Sequence, residues 1–139
     1  MASKQSAWKT KDRRQLLLAI LEHCKGDSLA SFEGDLSKLS LANLEGASLD
    51  ETVSLKRGTL WPKQDFVVLP LDRLTPKAVI AALGGSIPSS VLHIQIEKNS
   101  KLAFGAYDNF QHLHFGESLD EAFLNQLISH GILHSATAS

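Results

Sequence analysis

The sequence predicts a single α+β domain, and three observations carry that prediction. Apolar residues recur at helical spacing near both ends of the chain, over 12–24 and 119–130. Between them, several short segments show the two-residue alternation of a strand with one buried face. Short polar turns join these strands, and helices fall between blocks of strands rather than after each one. This order favours a mostly antiparallel sheet.

Length and composition are those of one soluble domain over 1–139. With 43% hydrophobic and 21% charged residues, the chain is large enough to bury its own core. The ends, 1–10 and 135–139, are expected to be flexible tails. Apolar runs fall far short of the ~20 residues that span a bilayer, so no membrane partner is expected. Cys24 is the only cysteine, which fits a reducing compartment such as the cytoplasm.

Charge is unevenly distributed along the chain. Of the 14 basic and 15 acidic residues, 5 and 1 lie within 1–14, which leaves 9 and 14 in the remainder. A basic leader can touch phosphate or an acidic partner surface. The favoured interpretation is a solvated tail followed by the first turn of a helix, because the rest of the domain would repel nucleic acid. A nucleic-acid partner is therefore not expected.

The first half of the chain predicts one helix and three strands. A single apolar stripe predicts a helix over 12–24, which Lys25 and Gly26 end. Alternation over 30–36 and again over 53–59 predicts two strands, with irregular structure between them. The run 66–69 is apolar at every position, which indicates a strand covered on both faces.

The second half predicts two helices around a three-stranded meander. Thr75 and Pro76 begin a helix as N-cap and first helical residue. The meander, over 91–97, 101–107 and 112–115, forms the centre of a sheet of five or six strands. Ser118 and Glu121 have the spacing of a capping box and begin the last helix. Helices 12–24 and 119–130 are expected to pack against one face of the sheet.

The apolar positions of these elements define a predicted core. Of the two tryptophans, Trp61 is the one expected inside, because Trp8 lies in the basic leader outside any apolar pattern. The other predicted core residues are Leu17, Ile20, Leu21, Phe32, Val67, Leu69, Ile80, Ile94, Ile96, Leu102, Phe104, Phe123 and Leu127.

The best candidate site is the turn after the second meander strand. It consists of Tyr107, Asp108, Asn109, Phe110, Gln111 and His112. Loops held by a rigid scaffold carry function more often than the scaffold does, and these side chains exceed what a tight turn needs. The alternative is a structural turn, in which the Asp and Asn side chains bond to nearby backbone groups. Arg57 and Trp61, residue types enriched at binding hot spots, form a second candidate patch.

Cofactor and metal chemistry have little support in the sequence. His112 and His114 would share a strand face, and His93 on the neighbouring hairpin could add a third zinc ligand, but no fourth ligand is evident at the right spacing. Cys24 lies on the apolar stripe of the first helix, which is typical of a buried small side chain. No nucleophile elbow or phosphate loop is present. Neither a metal nor a cofactor is expected.

Two classes of function remain. The leading hypothesis is a small cytoplasmic protein-binding module of the adaptor, inhibitor or immunity kind, which engages another protein without catalysis. The alternative is a small hydrolase or lyase that uses Asp108 with His112 or His114 as an acid–base pair, since such sites are assembled from residues without a sequence motif.

Overall fold

The computed structural model describes residues 8–135, which contain three α-helices and seven strands. In chain order these are β1 (Trp8–Thr10), α1 (Arg13–Cys24), β2 (Ser28–Gly34), β3 (Asp65–Pro70), α2 (Pro76–Ala82), β4 (Val91–Lys98), β5 (Lys101–Tyr107), β6 (His112–Phe115), α3 (Glu121–Ser129) and β7 (Leu133–Ser135). The α+β prediction is confirmed.

Five of the strands form one antiparallel sheet in the order β3-β2-β4-β5-β6. The predicted meander is present as β4-β5-β6, but it does not form the centre of the sheet, because β4 is the central strand and β6 is an edge strand. Asn99 and Ser100 turn the chain between β4 and β5 with positive φ values of 52° and 67°, a conformation that matches the twist of a tight hairpin. Strands β1 and β7 pair separately as a small antiparallel sheet.

All three helices bury their apolar stripes in one cluster on a single face of the five-stranded sheet. Leu16, Leu17 and Ile20 of α1 have no exposed surface, and Val79 of α2 and Leu127 of α3 belong to the same cluster. The side chains opposite them, such as Phe32 and Ile94, come from alternate positions of β2 and β4. Twelve of the predicted strand and helix core residues lie in this cluster; Leu102 does not.

Leu102 lies on the other face of the sheet because β4 and β5 change register. Ile96 pairs with Phe104, but Glu97 pairs with Leu102, so Ala103 is an extra residue on β5. A bulge of one residue reverses the side-chain alternation beyond it. Leu102 therefore packs half-buried against a small cluster of Leu55, Phe66 and Val68 on the opposite face.

Three boundary predictions were wrong or incomplete. The segment 53–59 forms no strand. The N-cap of α3 is Asp120, whose carboxylate accepts from the Phe123 N–H at 2.9 Å, in place of the expected Ser118 and Glu121 capping box. Of the predicted tails, 1–7 and 136–139 lie outside the described residues, whereas 8–10 and 135 belong to β1 and β7.

No helix within residues 8–135 has the length and apolar character needed to cross a bilayer.

Cys24, the last residue of α1, is fully buried in the main core. Burial raises the pKa of its thiol to about 11, and the nearby Lys98 ammonium offsets part of this effect. Because the thiolate is the reactive form, a thiol-specific reagent should leave Cys24 unmodified at about pH 8 while the chain is folded. In denaturant the same thiol should react fully. Rapid modification of the folded chain would contradict the buried position.

Candidate interaction surface

The face of the sheet opposite the helices carries a row of buried polar side chains. Ser31 and Glu33 of β2 lie beside Gln95 and His93 of β4, and Glu97 follows on the same face. None of the five is more than 8% exposed. Buried polar groups are costly unless they are hydrogen-bonded, so this row requires partners above the sheet.

Residues 48–64, called here the covering segment, supply those partners. The Glu33 carboxylate accepts the Gly58 N–H at 2.7 Å and the Thr59 N–H at 3.2 Å. The Gln95 side-chain carbonyl accepts the Lys56 N–H at 3.1 Å, and Glu97 accepts the Thr52 hydroxyl at 2.6 Å. The N–H groups of 56, 58 and 59 thus donate to side chains of the sheet, and those of 55 and 57 donate to side chains of the segment itself. None of these groups donates to a neighbouring strand, which explains why the predicted strand is absent.

Arg57, one of the predicted site residues, is used within the covering segment. Its N–H donates to the Glu51 carboxylate at 2.7 Å, and its guanidinium donates to the Gln64 carbonyl at 2.6 Å. The same guanidinium lies 4.9 Å above the centre of the Phe66 ring. Arg57 therefore shapes the segment from a half-buried position.

Trp61 has the opposite environment, and the prediction that it belongs to the core was wrong. It is 86% exposed, and the preceding Leu60 is 89% exposed. Trp8 is the half-buried tryptophan, because its ring meets Phe115 edge-on at 6.3 Å. Leu60 and Trp61, called here the apolar tip, project from a segment whose neighbouring residues are fixed to the sheet. The apolar tip was predicted in part, through Trp61, while no pattern in the sequence pointed to Leu60.

His93 connects the covering segment to the predicted turn. Its Nδ1 accepts the Asp108 N–H at 3.2 Å, so the ring proton is on Nε2, which donates to the Thr59 hydroxyl 2.9 Å away. A Cβ at Gly58 would lie 3.0 Å from the imidazole Cδ2, so only glycine fits there without displacement. His93 is thus engaged at both nitrogens and does not share a site with His112 and His114.

The turn between β5 and β6 is held mainly by Asn109. Its side-chain amide donates to the Pro88 carbonyl at 3.0 Å and the Val91 carbonyl at 2.7 Å, and its side-chain oxygen accepts from Arg13. Asp108, Asn109 and Phe110 all have positive φ, between 52° and 70°. Asn and Asp tolerate this region well, whereas Phe110 adopts it with its ring buried in the core.

The remaining predicted turn residues differ in exposure. The Tyr107 ring folds back over Gly105, where a Cβ would lie 2.5 Å from the phenolic oxygen, and that oxygen accepts from the Gln95 amide at 3.1 Å. Asp108 and His112 approach within 3.7 Å, with side chains 64% and 73% exposed. Gln111 is exposed as well. The structure therefore brings all six predicted residues together, but only Asp108, Gln111 and His112 present themselves to solvent.

Two clefts lie at the other end of the sheet. The larger, of about 460 Å³, is lined by Asp27, Ser28, Leu29, Gly46, Pro70, Asp72, Arg73, Glu97 and Ser100. The second, of about 250 Å³, shares Asp72 and Arg73 with it. None of the predicted site residues lines either cleft. Across residues 8–135, no three His, Cys, Asp or Glu side chains are arranged to hold a metal ion.

Comparison of the chain with protein-family models, curated proteins and solved structures gave no match. The candidate surface must therefore be interpreted from its own geometry.

Removal of the Glu33 carboxylate should release the covering segment. Glu33 is 1% exposed, and Glu33→Ala leaves the Gly58 and Thr59 N–H groups without acceptors, so the free energy of unfolding should fall by about 2–3 kcal/mol. Glu22→Ala, which removes an exposed carboxylate paired with Lys25, is the control and should cost less than about 1 kcal/mol. Urea denaturation measures both variants. Equal losses of unfolding free energy would show that the Glu33 carboxylate does not hold the covering segment.

The turn should depend on Asn109 far more than on its exposed neighbours. Asn109→Ala removes three side-chain hydrogen bonds and places alanine at positive φ, so unfolding free energy should fall by about 2–4 kcal/mol. Asp108→Gly and His112→Ala should each change it by less than about 1 kcal/mol, because only an exposed pair is lost. Thermal unfolding followed by circular dichroism would show the order, and a larger loss at Asp108 would refute it.

Proposed function

We propose that this protein is a small cytoplasmic protein-binding module, of the adaptor, inhibitor or immunity kind, and that the apolar tip is its main anchor. The observation that carries the proposal is the exposure of Leu60 and Trp61, at 89% and 86%, on a segment fixed to the sheet. Tryptophan is among the residues most enriched at binding hot spots.

The energetics support an anchor at this position. Covering an exposed tryptophan removes about 150–250 Å² from water, which is worth roughly 4–6 kcal/mol at 25 cal/mol/Å². The hydrogen bonds that the backbone N–H groups of residues 56, 58 and 59 donate to Glu33 and Gln95 order the backbone beside the tip before any partner arrives. A partner then gains the apolar contact without the full cost of ordering a loop.

The second candidate is a small hydrolase or lyase built on Asp108 and His112. The observation in its favour is the 3.7 Å separation of the Asp108 carboxylate and the His112 Nε2. Against it stands the exposure of both side chains, since general acid–base groups act best where the substrate excludes water. The binding module is therefore the stronger proposal.

The apolar tip should be required for partner capture but not for stability. Trp61→Ala removes a side chain that contributes little to the core, so the melting temperature should stay within about 2 °C of the wild type. Capture of a stoichiometric protein partner on the immobilised chain should weaken by about 30-fold or more, as for a hot-spot residue. Ile128→Ala, which trims an apolar residue on α3 that is 42% exposed, is the matched control and should capture normally.

The two candidate functions give different results in this experiment. If Trp61→Ala and wild type retain the same proteins to the same extent, the apolar tip is not the anchor. If Asp108→Ala and His112→Ala instead abolish turnover of a substrate while the chain stays folded, the enzyme is the correct class.

A further inference from the structure

Four cations stand close together at the start of the described chain. Lys9, Lys11, Arg13 and Arg14 lie within six residues and are called here the basic edge. Within residues 8–135, carboxylates lie at salt-bridge distance from Lys25 (Glu22, 3.2 Å) and from His112 (Asp108, 3.7 Å), and none lies at that distance from the basic edge. The carboxylate of Asp12 lies beside it but accepts the Gln15 N–H as the N-cap of α1.

Three of the four cations are positioned by neutral oxygens. Lys9 donates to the Gln111 carbonyl at 2.8 Å, Arg13 donates to the Asn109 side chain, and Arg14 donates to the Gly85 carbonyl at 3.0 Å. Such acceptors fix where the charged groups lie without cancelling their charge. A partner that carries carboxylates would bind cations that are already ordered, so less conformational entropy would be lost on binding.

The basic edge is unfavourable for the isolated chain. It lies at the N-terminal end of α1, where the helix dipole is positive, and the first turn of α1 contains no acidic side chain. Cations at that end reduce helix stability, and acidic residues would increase it. The Asp12 N-cap and the hydrogen bonds of Lys9, Arg13 and Arg14 offset part of this cost. Cations at a helix start, where acidic residues would be more stabilising, still point to a functional requirement.

A chain of hydrogen bonds links the basic edge to the residue beside the apolar tip. Arg13 bonds to Asn109, and the adjoining Asp108 N–H bonds to His93, whose ring reaches Thr59 next to the tip. The two hydrogen bonds of His93, of 3.2 and 2.9 Å, place Asp108 and Thr59 on either side of one imidazole ring. The turn 107–112 thus lies between the two features.

From this arrangement we infer that the basic edge binds an acidic polypeptide segment of the protein partner, beside the region that receives the apolar tip. The inference rests on the proposed binding function and specifies its partner. A polypeptide is favoured over nucleic acid because residues 15–139 carry nine basic and fourteen acidic residues, which would repel an extended phosphate backbone.

A short polyglutamate peptide is the probe that tests this inference without knowledge of the partner. Titrated into the full chain and followed by amide chemical shifts, it should perturb residues 9–14 and 109–111, and the effect should weaken as ionic strength rises. The double variant Lys11→Glu and Arg14→Glu should weaken binding by about tenfold or more. The same variant should keep the melting temperature within about 3 °C of the wild type, because acidic residues at the start of α1 offset the lost hydrogen bond from Arg14 to the Gly85 carbonyl.

Lys101→Glu is the matched control, because Lys101 is exposed and begins the strand that ends at Tyr107. It should bind polyglutamate as wild type does. Equal losses for this control and for the double variant would overturn the inference, and so would tighter binding of an oligouridylate carrying the same number of charges. Trp61→Ala should change polyglutamate affinity by less than about twofold. The role of the apolar tip and the role of the basic edge are therefore tested by separate variants.

Discussion

The hydrogen bonds of the buried Glu33 carboxylate are the interaction on which the rest of the surface depends. The carboxylate of a glutamate that is 1% exposed is tolerated only where strong donors meet it, and here both oxygens accept backbone N–H groups of the covering segment. The position of that segment decides where the apolar tip projects and where Thr59 meets His93. The sheet therefore has two dissimilar faces. One is apolar and filled by helices; the other carries a row of buried polar side chains beside a small apolar cluster, and an irregular segment closes it.

His93 transmits this arrangement to the neighbouring turn. Its ring has one donor and one acceptor, and both are used, by the Thr59 hydroxyl and the Asp108 N–H. Asn109 then extends the connection to Arg13 and, through the Pro88 and Val91 carbonyls, to the start of β4. Segments that are remote in sequence meet here within a few hydrogen bonds, so the turn 107–112 lies between the start of α1 and the covering segment.

The elements that the sequence predicted well are those whose signal is local. Alternation in β2, β4 and β5 and the apolar stripe of α1 follow from residues a few positions apart, and the structure contains them with small changes of boundary. The prediction of a strand over 53–59 was wrong because Val53 and Leu55 alternate as in a strand. The groups that hold the segment are remote in sequence; Glu33, for example, is 25 residues away from Gly58. The small β1–β7 sheet joins residues from opposite ends of the chain and leaves no pattern in either. At the turn, the polar residue types predicted a cluster of site residues. Asp108 and Asn109 both tolerate positive φ, so the sequence did not show that Asn109 holds the turn while Asp108 faces solvent.

The way in which the covering segment is attached affects how this protein can diverge. The sheet recognises the segment largely by main-chain N–H groups at positions 56, 58 and 59, which every residue except proline provides. Gly58 is constrained by space through the His93 ring, and Thr59 is constrained by the bond of its hydroxyl to the same ring. The exposed side chains of Leu60 and Trp61 take no part in these hydrogen bonds, so the fold places little constraint on them. Under the proposed binding function, substitution at the tip would change partner preference while the scaffold stays intact, so specificity and stability would be encoded by largely separate residues.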